Sequence, residues 1–283
     1  MNPKRRRGGV RIRRRRGTLV VVGTGLKAAR HLTPEARDEI SEADRVFYLV
    51  SDPLSERWIK TLRPTATSLA SCYVLGRSRL AAYRRMVDRI LPPVRSGLRV
   101  CAAFYGHPGV SVFPSHEAIR QARAEGFSAR MLPGISTEDC LFSDLGLDPA
   151  RSGCQSYEAT DFLVYQRRFD PSSALVLWQA GVVWQLDYGP RPARSGLRVL
   201  ARRLAHVYGE KHEVVLYEAS LLPVVPSTVR STTIEELPTA GITGGMTLFV
   251  PPRPRSPNAR GLRSLGLRRR DLAVAPPCWQ PRT

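Results

Sequence analysis

Nothing in this 283-residue sequence is long and apolar enough to span a bilayer: no hydrophobic run approaches the ~20 residues a transmembrane helix requires. Cysteine is sparse and shows no paired spacing. The five cysteines (Cys72, Cys101, Cys140, Cys154, Cys278) form no C-x-x-C, and four sit in core-like segments. That excludes a zinc ribbon or a disulfide scaffold and points to reduced thiols in a cytoplasmic protein. The basic N-terminus leads into no uninterrupted apolar stretch, because residues 19–22 give way at once to Gly23-Thr24-Gly25. A secretory signal peptide is therefore not expected. Lysine is nearly missing, four against forty arginines, which reads as a compositional bias rather than a binding pattern.

Acidic residues are absent from one end and almost absent from the other. Residues 1–16 hold nine Lys/Arg and no acid, and residues 253–283 hold eight Arg against Asp271 alone. The net charge of +20 thus lives in the tails; residues 17–252, with 27 basic and 23 acidic side chains, carry only +4. No aromatic residue is interleaved in the arm to stack on bases, so it reads as a solvated extension. The near-neutral body argues against a broad RNA surface. What the chain does have is 42% hydrophobic residues, enough to fill two modest cores and to exclude wholesale disorder.

Apolar spacing, caps and breakers predict alternating strands and helices. Within residues 17–126, strands are expected at 17–23, 45–50 and 98–105. Helices are expected from Pro34 (capped by Thr33) to about 43, over 53–62, over 78–91 where Pro92-Pro93 should stop it, and over 114–125 up to Gly126. Within residues 127–252, strands are expected at 128–132, 163–166, 175–179, 212–219 and 246–250. A helix should run from Ser136, with Asp139 in the reciprocal capping position, to Gly146, and another over 198–208. The tail after Pro251-Pro252 is Arg/Pro-rich with one weak helix at 261–267. The alternation predicts an α/β protein with a mostly parallel sheet covered on both faces. Its expected parts are a basic arm (1–16), two subdomains (17–126 and 127–252) and a tail (253–283).

Three glycine-rich turns follow strands: Val22-Gly23-Thr24-Gly25, Phe104-Tyr105-Gly106-His107-Pro108-Gly109-Val110, and Leu132-Pro133-Gly134-Ile135-Ser136. Open α/β sheets hold ligands at such strand ends, so three together predict a cofactor cleft. The first turn also fits G-x-G-x-x-A through Ala28, with Asp52 placed as a ribose-binding acid would be; a dinucleotide site is one reading. A second constellation is Tyr73, Arg79 and Tyr83. Arg79 and Tyr83, at i and i+4, share a helix face, and Tyr73 precedes that helix. They read either as a guanidinium packed on tyrosine or as donors converging on an anion-like transition state. His107 reads as a loop anchor, Trp58, Trp178 and Trp184 as core or rim, and His116-Glu117, pointing to different faces, as no metal pair; no metal site is expected.

Val21-Val22-Gly23-Thr24-Gly25-Leu26, the Tyr105–109 turn and Pro133-Gly134-Ile135-Ser136 resemble the tetrapyrrole methylase superfamily. That likeness implies two α/β domains with an S-adenosylmethionine cleft between them. Ser78-Arg79-Leu80-x-x-Tyr83, the 104–110 run, Met131-Leu132-Pro133-Gly134-Ile135-Ser136-x-Glu138-Asp139-Cys140-Leu141-Phe142 and Tyr157-Glu158-Ala159-x-Asp161-Phe162 resemble, within it, the borosin peptide backbone α-N-methyltransferases. The likeness runs from about 17 to 252. It implies Tyr73, Arg79 and Tyr83 as catalytic residues, with Tyr105, His107, Val110, Ser136 or Thr137, Gln179, Tyr217 and Thr247 touching the cofactor. It also implies a homodimer. The loop Gly244-Gly245-Met246-Thr247 looks one residue short of the family pattern.

A peptide nitrogen is a poor nucleophile because its lone pair is delocalised into the carbonyl. Its methylation requires loss of the N–H proton, and fixed donors for the charge that develops on the amide oxygen. Arg79 suits the donor role; Tyr83 or Tyr73 suits proton removal, provided Arg79 lowers a phenol from its ordinary value of about 10. In the fungal members the substrate is the enzyme's own C-terminus. Here about thirty residues follow Pro252, and the last, Ala273-Val274-Ala275-Pro276-Pro277-Cys278-Trp279-Gln280-Pro281, offer few methylatable amides. The expectation is a separate precursor peptide as substrate. Rival readings are a tetrapyrrole-precursor methyltransferase, a ribosomal RNA methyltransferase, a non-catalytic peptide-binding derivative and, last, an NAD dehydrogenase.

Overall fold

The computed structural model describes residues 17–189 and 194–272. The basic arm and the segment from Ala273 onward lie outside the described residues. The chain builds two five-stranded sheets. The first is wholly parallel. Its elements are β1 (Thr18–Gly23), α1 (Pro34–Glu42), β2 (Arg45–Leu49), α2 (Pro53–Leu62), β3 (Thr67–Ser68), α3 (Arg79–Arg95), β4 (Arg99–Phe104), α4 (Phe113–Ala124) and β5 (Ser128–Met131). Their strand order is β3-β2-β4-β1-β5. Alternation along β1 explains the two covered faces: Leu19 and Val21 enter one core with α3 and α4, while Val20 and Val22 enter another with α1 and α2.

The second sheet follows α5 (Thr137–Leu145) and α6 (Pro149–Ser152). It comprises β6 (Cys154–Glu158), α7 (Ala159–Val164), β7 (Ala174–Trp178), α8 (Arg194–Tyr208), β8 (Glu213–Glu218), β9 (Thr228–Thr233) and β10 (Thr247–Val250), in the order β6-β7-β10-β8-β9. The short helix α9 (Ala259–Ser264) is the last α-helix among the described residues, and a single 3₁₀ turn at Arg269–Asp271 follows it. Leu175 and Leu177 of β7 pack with α7 and α8, and Ala174 and Val176 pack with α5. Among the described residues no helix is long and apolar enough to cross a membrane.

Several expectations need correction. The mostly parallel arrangement holds for the first sheet only; in the second, β6–β7 is parallel and the other three pairings are antiparallel. Residues 128–131, expected to open the second subdomain, pair with β1 and close the first sheet. Residues 163–166 form no strand: Leu163 and Val164 complete α7 and 165–166 turn out of it, the helix being capped by Glu158, whose carboxylate accepts the Asp161 N–H at 2.7 Å, and burying Phe162. Pro92 and Pro93 lie inside α3 rather than after it. Leu91 and Val94 are buried against the first sheet, which holds this last turn despite the missing donors. The helix closes at Gly97 (φ 91°), where Leu98 N–H reaches Pro93 O at 3.1 Å.

Candidate active site

The three glycine turns meet. Gly106 N–H donates to Gly25 O at 2.8 Å, and a Cβ on Gly23 would stand 2.4 Å from Gly106 O. A Cβ on Gly134 would lie 3.0 Å from Gly23 Cα. The absence of side chains here is what allows three strand ends to pack against one another. Gly25 is not an open phosphate cradle, because a Cβ there would fall 2.1 Å from the His31 Cβ. Residues 26–30 are turn rather than helix, and Asp52 caps α2 by accepting the Ser55 N–H at 2.9 Å. The dinucleotide reading fails on all three counts.

The second and third turns open instead onto a cavity of about 330 Å³ between the two sheets. Its walls include Tyr73, Arg79, Tyr83, Tyr105, His107, Val110, Ser136, Thr137, Gln179 and Thr247. The structure therefore brings ten of the eleven expected site residues together. Tyr217 is the exception. Its ring is fully buried between α5 and the second sheet, and its hydroxyl donates to Asp144 Oδ2 at 2.7 Å. Sequence reasoning missed Glu138 and Tyr188, which also line the cavity, and placed Trp178 at core or rim, where it borders the opening. A second chamber of about 460 Å³ shares Tyr73, Tyr105, Thr137, Tyr188 and Gly245 with the first. Its other walls are largely aliphatic: Leu26, Leu49, Val50, Ala70, Ala219 and Leu221.

Local chemistry explains how the walls are held. Ser136 and Asp139 form a reciprocal cap: Asp139 N–H donates to Ser136 Oγ at 3.1 Å and Ser136 N–H to Asp139 Oδ2 at 2.7 Å. Ser136→Ala is expected to cost about 1 kcal/mol of stability, read as a lowered denaturation midpoint. His107 Nδ1 accepts the Gly109 N–H at 2.9 Å, and His116 Nε2 lies 2.9 Å from Gly109 O, so both histidines brace the turn. Two lining residues, Ser111 (φ 55°) and Gln179 (φ 57°), hold left-handed backbone, a conformation that non-glycine residues adopt mainly where a site demands it.

The phenols are tuned by burial. Tyr73 is pushed far above its ordinary value, first by desolvation, then by Tyr83 and Tyr105, with Arg79 pulling the other way. Tyr105 is raised in the same manner, by desolvation and then Tyr83, again against Arg79. Arg79 thus acts in the expected direction, but burial outweighs it and Tyr73 rests as a neutral phenol. Tyr73 meets Tyr83 edge to face, with centroids 6.1 Å apart at 81°.

Glycine at 106 also bears on whether S-adenosylmethionine fits. A Cβ there would meet nothing nearer than Leu26 Cδ2 at 3.9 Å, so the bare backbone leaves room for close approach at the cavity wall. The volume lies within the usual range of about 300–1,000 Å³ for small-ligand sites. Aromatic faces, hydroxyls and the Gln179 amide supply the mixed surface that an adenosyl group with a charged amino-acid end requires. The residues fit the group.

The fold and cleft are those of a known class. The chain belongs to the tetrapyrrole methylase family: the model of the Tetrapyrrole (Corrin/Porphyrin) Methylases matches residues 18–238. The uroporphyrin-III-C-methyltransferase of Thermus thermophilus shares the fold at a TM-score of 0.58 and 20% identity, over 90% of this chain and 98% of that one. A cobalt precorrin-4 methyltransferase does so at 0.57 and 16%, over 82% and 94%. Within the family the chain stands with the borosin methyltransferases. It is 40% identical to the methyltransferase/gymnopeptides precursor of Gymnopus fusipes, over 84% of this chain and 58% of that one. It is 41% identical to the methyltransferase/omphalotin A precursor of Omphalotus olearius, over the same shares. It is 39% identical to a methyltransferase/type I borosin cyclic peptide precursor of Coprinopsis marcescibilis, over 94% and 71%. The chain spans 58% of the length of the first two.

Proposed function

We propose that this protein is an S-adenosylmethionine-dependent methyltransferase that methylates backbone amide nitrogens of a ribosomally made precursor peptide supplied as a separate chain. The observation that carries the reading is that Tyr73, Arg79 and Tyr83 line the same cavity as Ser136, Gln179 and Thr247. A cofactor chamber alone would not call for two phenols and a guanidinium. The adjoining aliphatic chamber suits the apolar side chain of a peptide residue, and Tyr73 stands on the boundary of both.

S-adenosylmethionine, held by Tyr105, His107, Val110, Ser136, Thr137, Gln179 and Thr247, would supply an electrophilic methyl group. The protein's own groups do the rest. Arg79 donates to the amide oxygen as negative charge collects there, and its planar fork keeps that donor fixed. The amide proton passes to the phenolate oxygen of Tyr73 or Tyr83, which becomes the neutral phenol as the nitrogen takes the methyl group. Because Tyr73 rests neutral, the reaction is expected to accelerate with rising pH through the neutral range, as the small fraction of phenolate grows. A single-turnover rate that stayed flat from neutral to alkaline pH would exclude phenolate as the base.

A substrate in trans is supported by the path of the chain. β10 begins at the cavity with Thr247 and ends at Val250, paired with Leu175 at the far end of β7. The chain then runs outward, Arg253 N–H donating to Pro171 O at 2.8 Å and Arg255 pairing with Asp170. Exposed Leu75, Trp184 and Leu186 are apolar side chains that a homodimer would cover. The four described cysteines are free, in keeping with a cytoplasmic setting.

The test is a mass spectrum after incubation with S-adenosylmethionine, alone and with candidate precursor peptides. Added methyl masses on the peptide support the reading. Methylation confined to the protein's own chain overturns the trans assignment. Tight cofactor binding with neither product points to a tetrapyrrole-like small molecule or RNA instead.

A further inference from the structure

Apart from one turn, in which Arg77 N–H donates to Val74 O at 3.1 Å, the loop between Tyr73 and Arg79 is held by a distant segment. Ser78, at the N-cap of α3, makes no side-chain cap hydrogen bond. The Arg79 N–H donates instead to Leu186 O at 3.2 Å, a carbonyl from the segment that follows β7. Gly76 N–H donates to Tyr188 O and Tyr188 N–H to Arg77 O, both at 2.9 Å, and Ser78 pairs with Asp187 as an antiparallel bridge. Residues 186–188 therefore take the place of a cap, meeting one of the helix's orphan donors. On this backbone clamp the Tyr188 ring stacks on Tyr73, centroids 4.8 Å apart at 27°. The row continues through Tyr83 to Phe113 of α4, which stacks on Tyr83 at 6.2 Å and 25°. Tyr188 lines both chambers.

We propose that Tyr188 is a positioning residue for methyl transfer: its ring fixes the Tyr73 ring, and its strand fixes Arg79 by capping α3. The proposal rests on the amide-methylation reading for the reaction it serves, while its contacts are independent of that reading. In this role Tyr188 acts through the two residues it holds. The ring also shields Tyr73 from water. The other groups facing that phenol are Tyr83 and Arg79 from α3 and Tyr105 from the β4–α4 turn. None of them covers the ring face that Tyr188 stacks upon.

The experiment uses the full chain as Tyr188→Phe, Tyr188→Leu and Tyr188→Met, each also in a Tyr73→Phe background that identifies the Tyr73 signal. Phenolate absorbance is followed against pH in the free proteins, and single-turnover methyl transfer is followed at saturating cofactor and peptide. Loss of the ring should let Tyr73 ionise closer to the ordinary phenol value of about 10; the phenolate so gained helps only where the phenol stays aligned, and the lost alignment is expected to outweigh it. Stacking between aromatic rings corresponds to roughly two- to twelvefold in an equilibrium or rate, so the Leu and Met variants should lose about tenfold in single-turnover rate. Tyr188→Phe, which keeps the ring, should regain most of the rate and the parent titration.

An unchanged Tyr73 titration and rate in Tyr188→Leu or Tyr188→Met overturns the proposal. So does a Phe variant as impaired as the Leu variant. Using two aliphatic replacements keeps the test open if one of them fails to fold. A shifted titration with no peptide methylated even by the parent protein would uphold the contact and sink the amide-methylation reading instead.

Discussion

On the proposed function, Arg79→Ala is expected to abolish methyl transfer to the peptide while cofactor affinity stays within a few-fold of the parent protein. The expectation follows from the guanidinium lining the same cavity as the phenols of Tyr73 and Tyr83. When an amide nitrogen attacks, charge grows on the amide oxygen, and in a dry cleft a fixed donor aimed at that oxygen is worth far more than in water. Removing one such donor costs roughly a hundred- to a thousandfold in rate in comparable sites. Arg79 additionally draws the Tyr73 and Tyr105 phenols downward. Its loss therefore leaves Tyr73 still harder to ionise and adds to the effect. Arg79→Lys should recover little, because an ammonium presents a point charge rather than a planar fork. Intact-mass kinetics give the rate and calorimetric titration gives the affinity. A variant that loses affinity but keeps its single-turnover rate would make Arg79 a binding group and shift the catalytic burden to the tyrosines.

Gly181→Ala should destabilise the protein by about 3 kcal/mol or more, the upper end of what overpacking a close contact costs, and weaken cofactor binding as well. A Cβ at this buried position would stand 1.7 Å from Thr243 O and 2.5 Å from its carbonyl carbon. No rotamer relieves a clash between Cβ and backbone, so two segments must part. They are the Gln179–Val182 turn and the loop through Gly244, Gly245 and Thr247, both of which wall the cavity. Gly244→Ala is the contrasting substitution: its Cβ would meet Val182 Cγ1 at an ordinary 3.5 Å, and its melting temperature should stay close to the parent's. Equal melting temperatures for the two variants would show that the loop yields freely.

How much of this was legible in the sequence differs between the two sheets. The first sheet was readable because β1, β2 and β4 are buried on both faces, so near-continuous apolar runs mark them, and because Thr33 carries a cap for α1 that local chemistry specifies. The second sheet was harder. β9, Thr228–Thr233, is a polar edge strand whose pairing with β8 comes from a partner rather than from its own pattern. The run at 163–166 looked apolar enough for a strand, but the Glu158 cap upstream had already committed the chain to helix. Pro92-Pro93 looked like a stop because the rule weighs the missing donors and not the buried Leu91 and Val94 around them.

The site divided in the same way. Motif-borne residues on the glycine turns and at the start of α3 all reach the cavity, since each follows directly from an element end. Tyr217 did not, because the inward or outward face of an interior strand is decided by pairing register, and here the ring turns toward α5. Tyr188 carried no signal at all: it lies in a loop without periodicity, and its importance comes only from contacts with residues far away in the chain.

Those contacts give the molecule a built-in order of assembly. Tyr73, Arg79 and Tyr83 leave the ribosome long before Leu186 and Tyr188, so in the nascent chain the Arg79 N–H has only water in place of its Leu186 partner. The first sheet can form early, yet the helix start that aims Arg79 is finished only when the later segment folds back onto it. A chain cut short before Leu186 would keep every residue of the reactive trio and still present it loosely, so reactivity toward the methyl donor arrives with the completed molecule and not with any of its parts.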